Sequence, residues 1–296
     1  MGIGLLLGLG AAVMWGLTDV SASVASRRFG SVRVLAGAHL AGWLVLVIIG
    51  LLRGVQLPSD LGILVSAVAV GLFGAGAYLA FFTGLRIGPL AVVSPTVAAF
   101  GGLTVILSVL FLGETLTPLQ AVGAVLATIG VVFVGFVSDG NLRETRIVGS
   151  GVLFGFAALV LFALMTIASS TPIREVGWLE FSLLARTVNV VAVWLLLVAS
   201  LATNAPALRP FLAAGEARSR RGAIAILLAG LLDVAGLISF TYGLEVAETW
   251  IVGLASSFGP AIAVVVAVLF MRERLRPTQW LGLGILAAGL GAVALP

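Results

Sequence analysis

The chain has 296 residues, 61% of them apolar and only 9% charged, whereas an ordinary soluble domain is about half apolar and a quarter charged, so a soluble globular fold is excluded. Its net charge of +4 comes from arginines scattered between apolar runs, with no lysine at all, a pattern that suits loops anchored at a membrane face and excludes a nucleic-acid-binding patch. Cysteine is absent, which rules out disulfides, thiolate catalysis and cysteine metal sites.

Ten apolar segments follow along the chain, each long enough to cross the roughly 30 Å hydrocarbon layer of a bilayer as a helix. The first five run Ile3 to Ala25, Val32 to Leu52, Leu61 to Thr83, Leu90 to Leu112 and Pro118 to Val137. The second five run Ile147 to Ser169, Trp178 to Leu201, Ala223 to Gly243, Thr249 to Met271 and Pro277 to Leu295. None shows the period-two alternation of a barrel strand, so the expected class is all-α integral membrane. The first segment lacks a basic leader and has a counterpart mid-chain, so it is read as a retained helix rather than a signal peptide.

The chain repeats itself. Shifting Phe81 to Val132 by 159 positions pairs Phe81 with Phe240, Gly84 with Gly243, Glu114 with Glu273, Pro118 with Pro277, Gln120 with Gln279 and Gly130 with Gly289. A shift of 147 at the front pairs Gly4 and Gly8 with Gly151 and Gly155, giving helices 1 and 6 the same Gly-xxx-Gly spacing. The expected organisation is therefore a first repeat over 1–138, a linker over 139–146 and a second repeat over 147–296. Because each unit has five crossings, an odd number, the second is expected to be inverted in the membrane, with a cavity between the two. Arginine placement agrees: thirteen arginines fall in loops 1-2, 3-4, 5-6, 7-8 and 9-10, and only Arg53 and Arg174 on the opposite side. By the excess of basic residues on cytoplasmic loops, both termini are expected outside a cytoplasmic (inner) membrane.

The stretches "LAVVSPTVAAFGGLTVILSVLFLGETLTPLQAVGAVLATIGVV" and "GLASSFGPAIAVVVAVLFMRERLRPTQWLGLGILAAGLG", with "AAVMWG" in helix 1, resemble the signature halves of EamA-type transporters in the drug/metabolite transporter superfamily. That resemblance implies a ten-helix basket around a central cavity and movement of metabolites or drugs by alternating access. One position departs from the family pattern: Pro260 has Gly101 as its first-half counterpart, and Pro95 lies six residues earlier.

Candidate functional groups are polar ones deep in apolar segments, where a charge costs at least about 2.5 to 3.5 kcal/mol. Asp19 and His39 lie roughly 9 and 10 Å from the face of loop 1-2, and Arg186 and Asp233 roughly 12 and 15 Å from the other. His39 maps onto Arg186, whereas Asp19 maps onto Thr166 and Asp233 onto Gly74. Two readings stand for each acid-base couple, Asp19 with His39 and Arg186 with Asp233: mutual neutralisation that locks helices together, or a pathway that binds a substrate's charged ends or exchanges a coupling proton. Trp15, one turn from Asp19, is a candidate cavity wall, and Tyr78, Asn189 and Tyr242 are candidate substrate contacts. Trp178, Trp250 and Trp280, near segment ends, are expected to anchor at the interface, while Trp43 and Trp194 face lipid or neighbouring helices. Pro95 and Pro260 are candidate hinges, and Gly4, Gly8, Gly151 and Gly155 sites of close helix packing.

In the turn "GETLTPLQ", Thr117, Pro118 and Gln120 fit a capping box, and Glu114 is expected to sit near the same helix start. Without lysine the chain has no Walker A loop, so ATP-driven pumping is excluded. One histidine and no cysteine leave no metal cluster or nucleophile-base pair, so neither an enzyme nor a cofactor is expected. The function expected is a secondary carrier for a small organic metabolite, an exporter by preference, with a passive facilitator as the alternative. Whether it works as monomer or homodimer is left open.

Overall fold

A computed structural model describes residues 2–88, 90–135, 150–203, 220–262 and 277–295. The linker at 139–146, most of the arginine-bearing loop after Leu201, and Glu273 with Arg272, Arg274 and Arg276 lie outside the described residues. Within them the chain is helical, with α1 (Gly2–Phe29), α2 (Ser31–Arg53), α3 (Leu61–Ile87), α4 (Leu90–Ala98), α5 (Phe100–Leu107), α6 (Pro118–Gly135), α7 (Ser150–Val176), α8 (Trp178–Thr203), α9 (Arg220–Val246), α10 (Thr249–Ser256) and α11 (Pro277–Ala294). Among the described residues eight helical stretches are long and apolar enough to cross a membrane, and Pro118–Phe133 and Thr249–Ile262 are shorter apolar ones.

The first connection is tighter than sequence suggests. α1 continues to Phe29 because nothing before Gly30 breaks a helix, and Arg27 and Arg28 in its last turn suit the negative helix end. Gly30 then reverses the backbone at φ 84°, a left-handed value that favours glycine, and α2 starts at the next residue. Gly177 at φ 99° makes the same one-residue link between α7 and α8, 147 positions later. Asp60 caps α3 by accepting the amide of Ile63 at 3.0 Å. Before α6, Thr117 Oγ1 accepts the Gln120 amide at 3.3 Å and Gln120 Oε1 accepts the Thr117 amide at 2.9 Å, closing the expected capping box.

Segments four and nine are not continuous. The fourth breaks at Ala99 between α4 and α5 and then winds as a π-helix over Ser108–Leu112. The ninth breaks at Ser257 and Phe258 and resumes at Gly259. Across the 159-residue offset, Ala99 corresponds to Phe258, so the two interruptions fall at equivalent places although the prolines do not.

Packing pairs elements from the two ends of the chain: α1 lies on α9, α7 on α3, α6 on α11, and α10 crosses α5. Small residues permit these approaches, as dispersion must hold helices together where no hydrophobic driving force separates them from lipid. A Cβ on Gly123 would meet the Gly289 carbonyl at 2.8 Å, and one on Gly130 the Leu286 Cα at 2.7 Å. Gly8 faces Ala255 and Gly4 faces Ala247, while Gly151 rests on Gly88 and Gly155 near Thr96. The outer surface exposes Leu6, Leu51, Leu52, Leu110, Phe111, Leu153 and Leu195, a belt that in water would be a severe aggregation hazard and in lipid is solvated.

Candidate functional site

The buried polar centre is built around Asp233 of α9, 2% exposed. Arg186 Nη2 of α8 donates to Asp233 Oδ2 at 2.8 Å, and the Tyr78 hydroxyl of α3 donates to Oδ1 at 2.8 Å. His39 of α2 places Nε2 3.9 Å from Oδ2, while its Nδ1 meets the Asn189 side-chain oxygen at 2.5 Å. Asn189 in turn donates to the Gly71 carbonyl at 3.4 Å. Trp15 Nε1 of α1 donates to the Asp233 backbone carbonyl at 3.3 Å. Side chains of α8, α3 and α2 thus converge on the carboxylate of α9, and α1 reaches the backbone of the same residue. His39 Nε2 and Arg186 Nη1 are both buried without a hydrogen-bond partner, an uncommon condition that marks the centre as unsaturated.

Of the two acid-base couples expected from sequence, Arg186 with Asp233 is an ion pair. The other partnership differs: His39 approaches Asp233 from the opposite repeat, and Asp19 instead accepts the Ser94 hydroxyl of α4 at 3.1 Å. A histidine twenty positions along the chain was a natural partner for Asp19 by depth, but depth does not fix which way a helix face points.

Asp19 and Asp233 both line a cavity of about 60 Å³ between the interrupted helices, room for a few water-sized groups. Its walls carry Trp15, Tyr78, Phe81, Phe100, Phe162 and Phe240. The interruptions supply the rest, Ser94, Val97 and Ala98 from one side and Ser256, Ser257, Gly259 and Pro260 from the other. Tyr78 stands edge-on to His39 and to Phe162, with ring centroids 4.5 and 5.0 Å away. Arg186 and Asn189 border a neighbouring hollow that shares Tyr78, Met165 and Phe240 with the first. Tyr242 is not brought to this centre; it is exposed on the outer surface of α9 beside Trp178. Pro95 is buried within α4, and Pro260 follows the break that ends α10.

A second polar cluster sits at the start of α10, around Glu114 of the connection before α6. Glu114 Oε1 accepts the Thr249 amide at 2.8 Å and Arg174 Nη2 at 2.9 Å, and Oε2 accepts the Trp250 amide at 3.0 Å. Glu114 therefore caps α10, from the other half of the chain, and not the α6 start beside it. Burial pushes its carboxyl up, but the amides of Thr249 and Trp250 and the Arg174 guanidinium outweigh that and hold it below the usual glutamate value. Trp250 is fully buried in this cluster, its indole N–H donating to Glu248 at 2.8 Å, so it is no interfacial anchor. Trp280 is 64% exposed at the start of α11. Trp43 donates to Thr187 Oγ1 at 2.8 Å on a neighbouring helix.

Sequence reading missed Ser94, Phe162, Phe240 and the role of Arg174. Ser94 adjoins Pro95, and that proximity was the one local signal; the others gain their roles only through contacts between distant segments.

Long apolar helices packed through glycine, with charged groups buried at their centre, define a multi-pass membrane protein. The EamA-like transporter family profile matches residues 2–136 and again residues 149–295; the chain belongs to that family and is of the drug/metabolite transporter type. A solved structure titled only as the crystal structure of a protein matches with TM-score 0.76 at 19% identity, over 98% of this chain and 96% of its own, which is a likeness of fold. No curated protein matches the sequence.

Proposed function

We propose that this chain is a secondary carrier that moves a small organic molecule across the cytoplasmic membrane by alternating access, with export as the preferred direction. The observation that carries this is the cavity holding Asp19 and Asp233, walled by elements of both halves and bounded by two helices interrupted at equivalent positions. Broken helices at membrane depth are tolerated where they line a cavity, and carriers place their binding sites there. The inverted repeat, the arginine bias and external termini make the two faces related by symmetry, so rocking one half against the other exposes the cavity to each side in turn.

Asp19 and Asp233 supply carboxylates able to bind a charged group of the substrate or exchange a coupling proton, and no nucleotide enters the cycle. Counterflow in proteoliposomes tests the proposal. Wild type is expected to accumulate labelled substrate transiently against its gradient, which a passive facilitator open to both sides at once cannot do. Asp19→Asn is expected to abolish or uncouple that uptake with expression intact, and Asp233→Asn to do so per folded molecule recovered; unchanged transport removes the residue from the mechanism.

A further inference from the structure

We infer that Glu114 and Arg174 form a lock that holds one mouth of the pathway shut and parts when the cavity opens at that end; this rests on the carrier reading and assigns its gate. Glu114 belongs to the first repeat, and what it holds belongs to the second. Its Oε1 accepts the Thr249 amide at 2.8 Å and Arg174 Nη2 at 2.9 Å, and its Oε2 accepts the Trp250 amide at 3.0 Å. Arg174 gathers neighbouring helix ends at the same time, Nε donating to the Leu244 carbonyl at 3.1 Å, and Nη2 to the Ala247 carbonyl at 2.9 Å and to Thr249 Oγ1 at 3.1 Å. One carboxylate and one guanidinium thus fasten the ends of α7, α9 and α10 to the connection before α6. The glutamate side chain is 7% exposed and the arginine side chain 36%, so the guanidinium has water to turn to when the contact opens, and no cation is stranded in the interior. With both termini external, as proposed, this end faces outward.

α10 connects this contact to the cavity. All eight of its residues, Thr249–Ser256, are buried, and they span roughly 10 Å at about 1.5 Å per residue. Held at Thr249 and Trp250 by Glu114, the helix ends at the break whose Ser256 and Ser257 line the cavity. Its flanks leave it little slack: a Cβ on Gly253 would meet Thr104 of α5 at 2.5 Å, and one on Gly8 of α1 would meet Ala255 at 2.6 Å. A close-packed element transmits displacement from one end to the other, so release at Glu114 moves a cavity wall. Symmetry supplies a counterpart. Arg27 precedes Arg174 by 147 positions, the offset that also relates Gly30 to Gly177. Arg27 Nη2 donates at 3.0 Å to the Gly88 carbonyl, and Gly88 precedes Ala247 by 159. The same guanidinium-to-carbonyl bond therefore ties helix ends once in each repeat, at opposite faces. In an inverted repeat the two faces exchange roles as the cavity opens to one side and then the other. A contact that fastens one repeat to the other at a single face is then broken in one of the two states.

The test is accessibility of the cavity from each face. The chain has no cysteine, so Thr18→Cys in the full chain places a single thiol on the cavity wall. Its reaction with a membrane-impermeant, positively charged methanethiosulfonate is timed in vesicles of both orientations. Glu114→Gln and Arg174→Gln are each expected to raise the rate from the face that carries them by at least about tenfold, the factor one hydrogen bond to a charged group is worth, and to lower it from the opposite face. The double variant is expected to exceed neither single by more than about twofold, since one contact is broken in all three. Arg27→Gln is expected to leave that face no more reactive than wild type. Arg174→Gln, which alters a part-exposed side chain, carries the test should Glu114→Gln fail to fold. A change below about twofold in Arg174→Gln, an equal rise from both faces, or a rise of the same size in Arg27→Gln overturns the inference. The carrier reading fails separately. Counterflow with labelling unmoved by these substitutions leaves a carrier and sinks the lock; face-selective labelling that follows Glu114 and Arg174 without counterflow upholds the lock and sinks the carrier.

Discussion

Replacing Asp233 with asparagine strips the counter-charge from Arg186 at a place where neither can turn to water, since Arg186 is 5% exposed and Asp233 2%. The aspartate accepts two hydrogen bonds of 2.8 Å, one from the guanidinium and one from Tyr78. Asparagine keeps one acceptor oxygen for these two donors and turns an N–H toward the other. A hydrogen bond to a charged group contributes about 1.5–3 kcal/mol, and breaking a buried ion pair by removing one partner costs about 3–5 kcal/mol because the survivor is left uncompensated. The larger figure applies, as Arg186 Nη1 already lacks a partner. Asp233→Asn is therefore expected to lower unfolding free energy by about 3–5 kcal/mol, or roughly two to four decades in the unfolding equilibrium. Arg186→Gln is expected to cost a similar amount, and the double variant clearly less than the two singles together, because it buries no charge. Denaturant unfolding in mixed micelles, followed by tryptophan fluorescence, measures all three. Single losses below about 1 kcal/mol, or a double variant equal to the sum, would refute the view that this pair is energetically coupled.

Removing Glu114 is expected to free the α10 start: Glu114→Ala should cost about 2–4 kcal/mol and lower hydrogen-exchange protection at the Thr249 and Trp250 amides. The same release is expected on acidification. Because the folded-state value of Glu114 lies below the ordinary 4.5, its ionised form contributes stability in full above that pH, and the contribution disappears as the pH falls below it. Exchange protection of the two amides, followed from neutral pH downward in wild type and in Glu114→Gln, checks the sign; a loss that begins near neutrality contradicts it. At the α6–α11 contact, Gly123→Ala places a methyl 2.8 Å from the Gly289 carbonyl, whereas a methyl at Gly284 meets nothing within 4 Å. The first is expected to destabilise by about 1–3 kcal/mol and the second to be neutral, and equal midpoints for both would contradict that packing. Thr117→Ala, which opens the capping box, is expected to lose about 1 kcal/mol by the same unfolding assay.

Much of the fold was legible because lipid imposes strict rules. A segment that crosses must satisfy its own backbone, so length and hydropathy locate helices with little competition from other structures. The division into two repeats was read from repeated glycines and prolines, and the family profile matches the chain twice, over 2–136 and 149–295. Helix ends were less legible, since Gly30 and Gly177 turn the chain in one residue where apolar content alone suggested a longer loop. In the site, depth singled out Asp19, His39, Arg186 and Asp233, of which the last three are buried and Asp19 half-buried, but partner choice depends on rotation about each helix axis. That is why His39 was matched to Asp19 and belongs with Asp233, and why Tyr242, a polar group within an apolar segment, faces outward. Glu114 misled for a similar reason: its nearest helix start in sequence is α6, and its nearest in space is α10.

The interruptions in segments four and nine pose a sharper case, because sequence placed Pro95 and Pro260 at inequivalent positions and so suggested unequal bends. A proline removes one N–H and crowds the preceding turn, but it sets a region of weakness and not the exact residue at which the helix parts. Here that choice is made where α5 and α10 cross. Gly101 lies against Ser257, and Gly253 against Thr104, a reciprocal fit between residues close to the two breaks. An uninterrupted helix on either side would carry its side chains through that contact, so a break on one side is matched by a break on the other. Pro260 lies two residues after Phe258, within one turn of its break, whereas α4 runs unbroken through Pro95, four residues before Ala99, and the two interruptions still fall at corresponding places. The cavity lies beside the two breaks, with Ser94 donating to Asp19 on one wall and Ser256 and Ser257 lining the other.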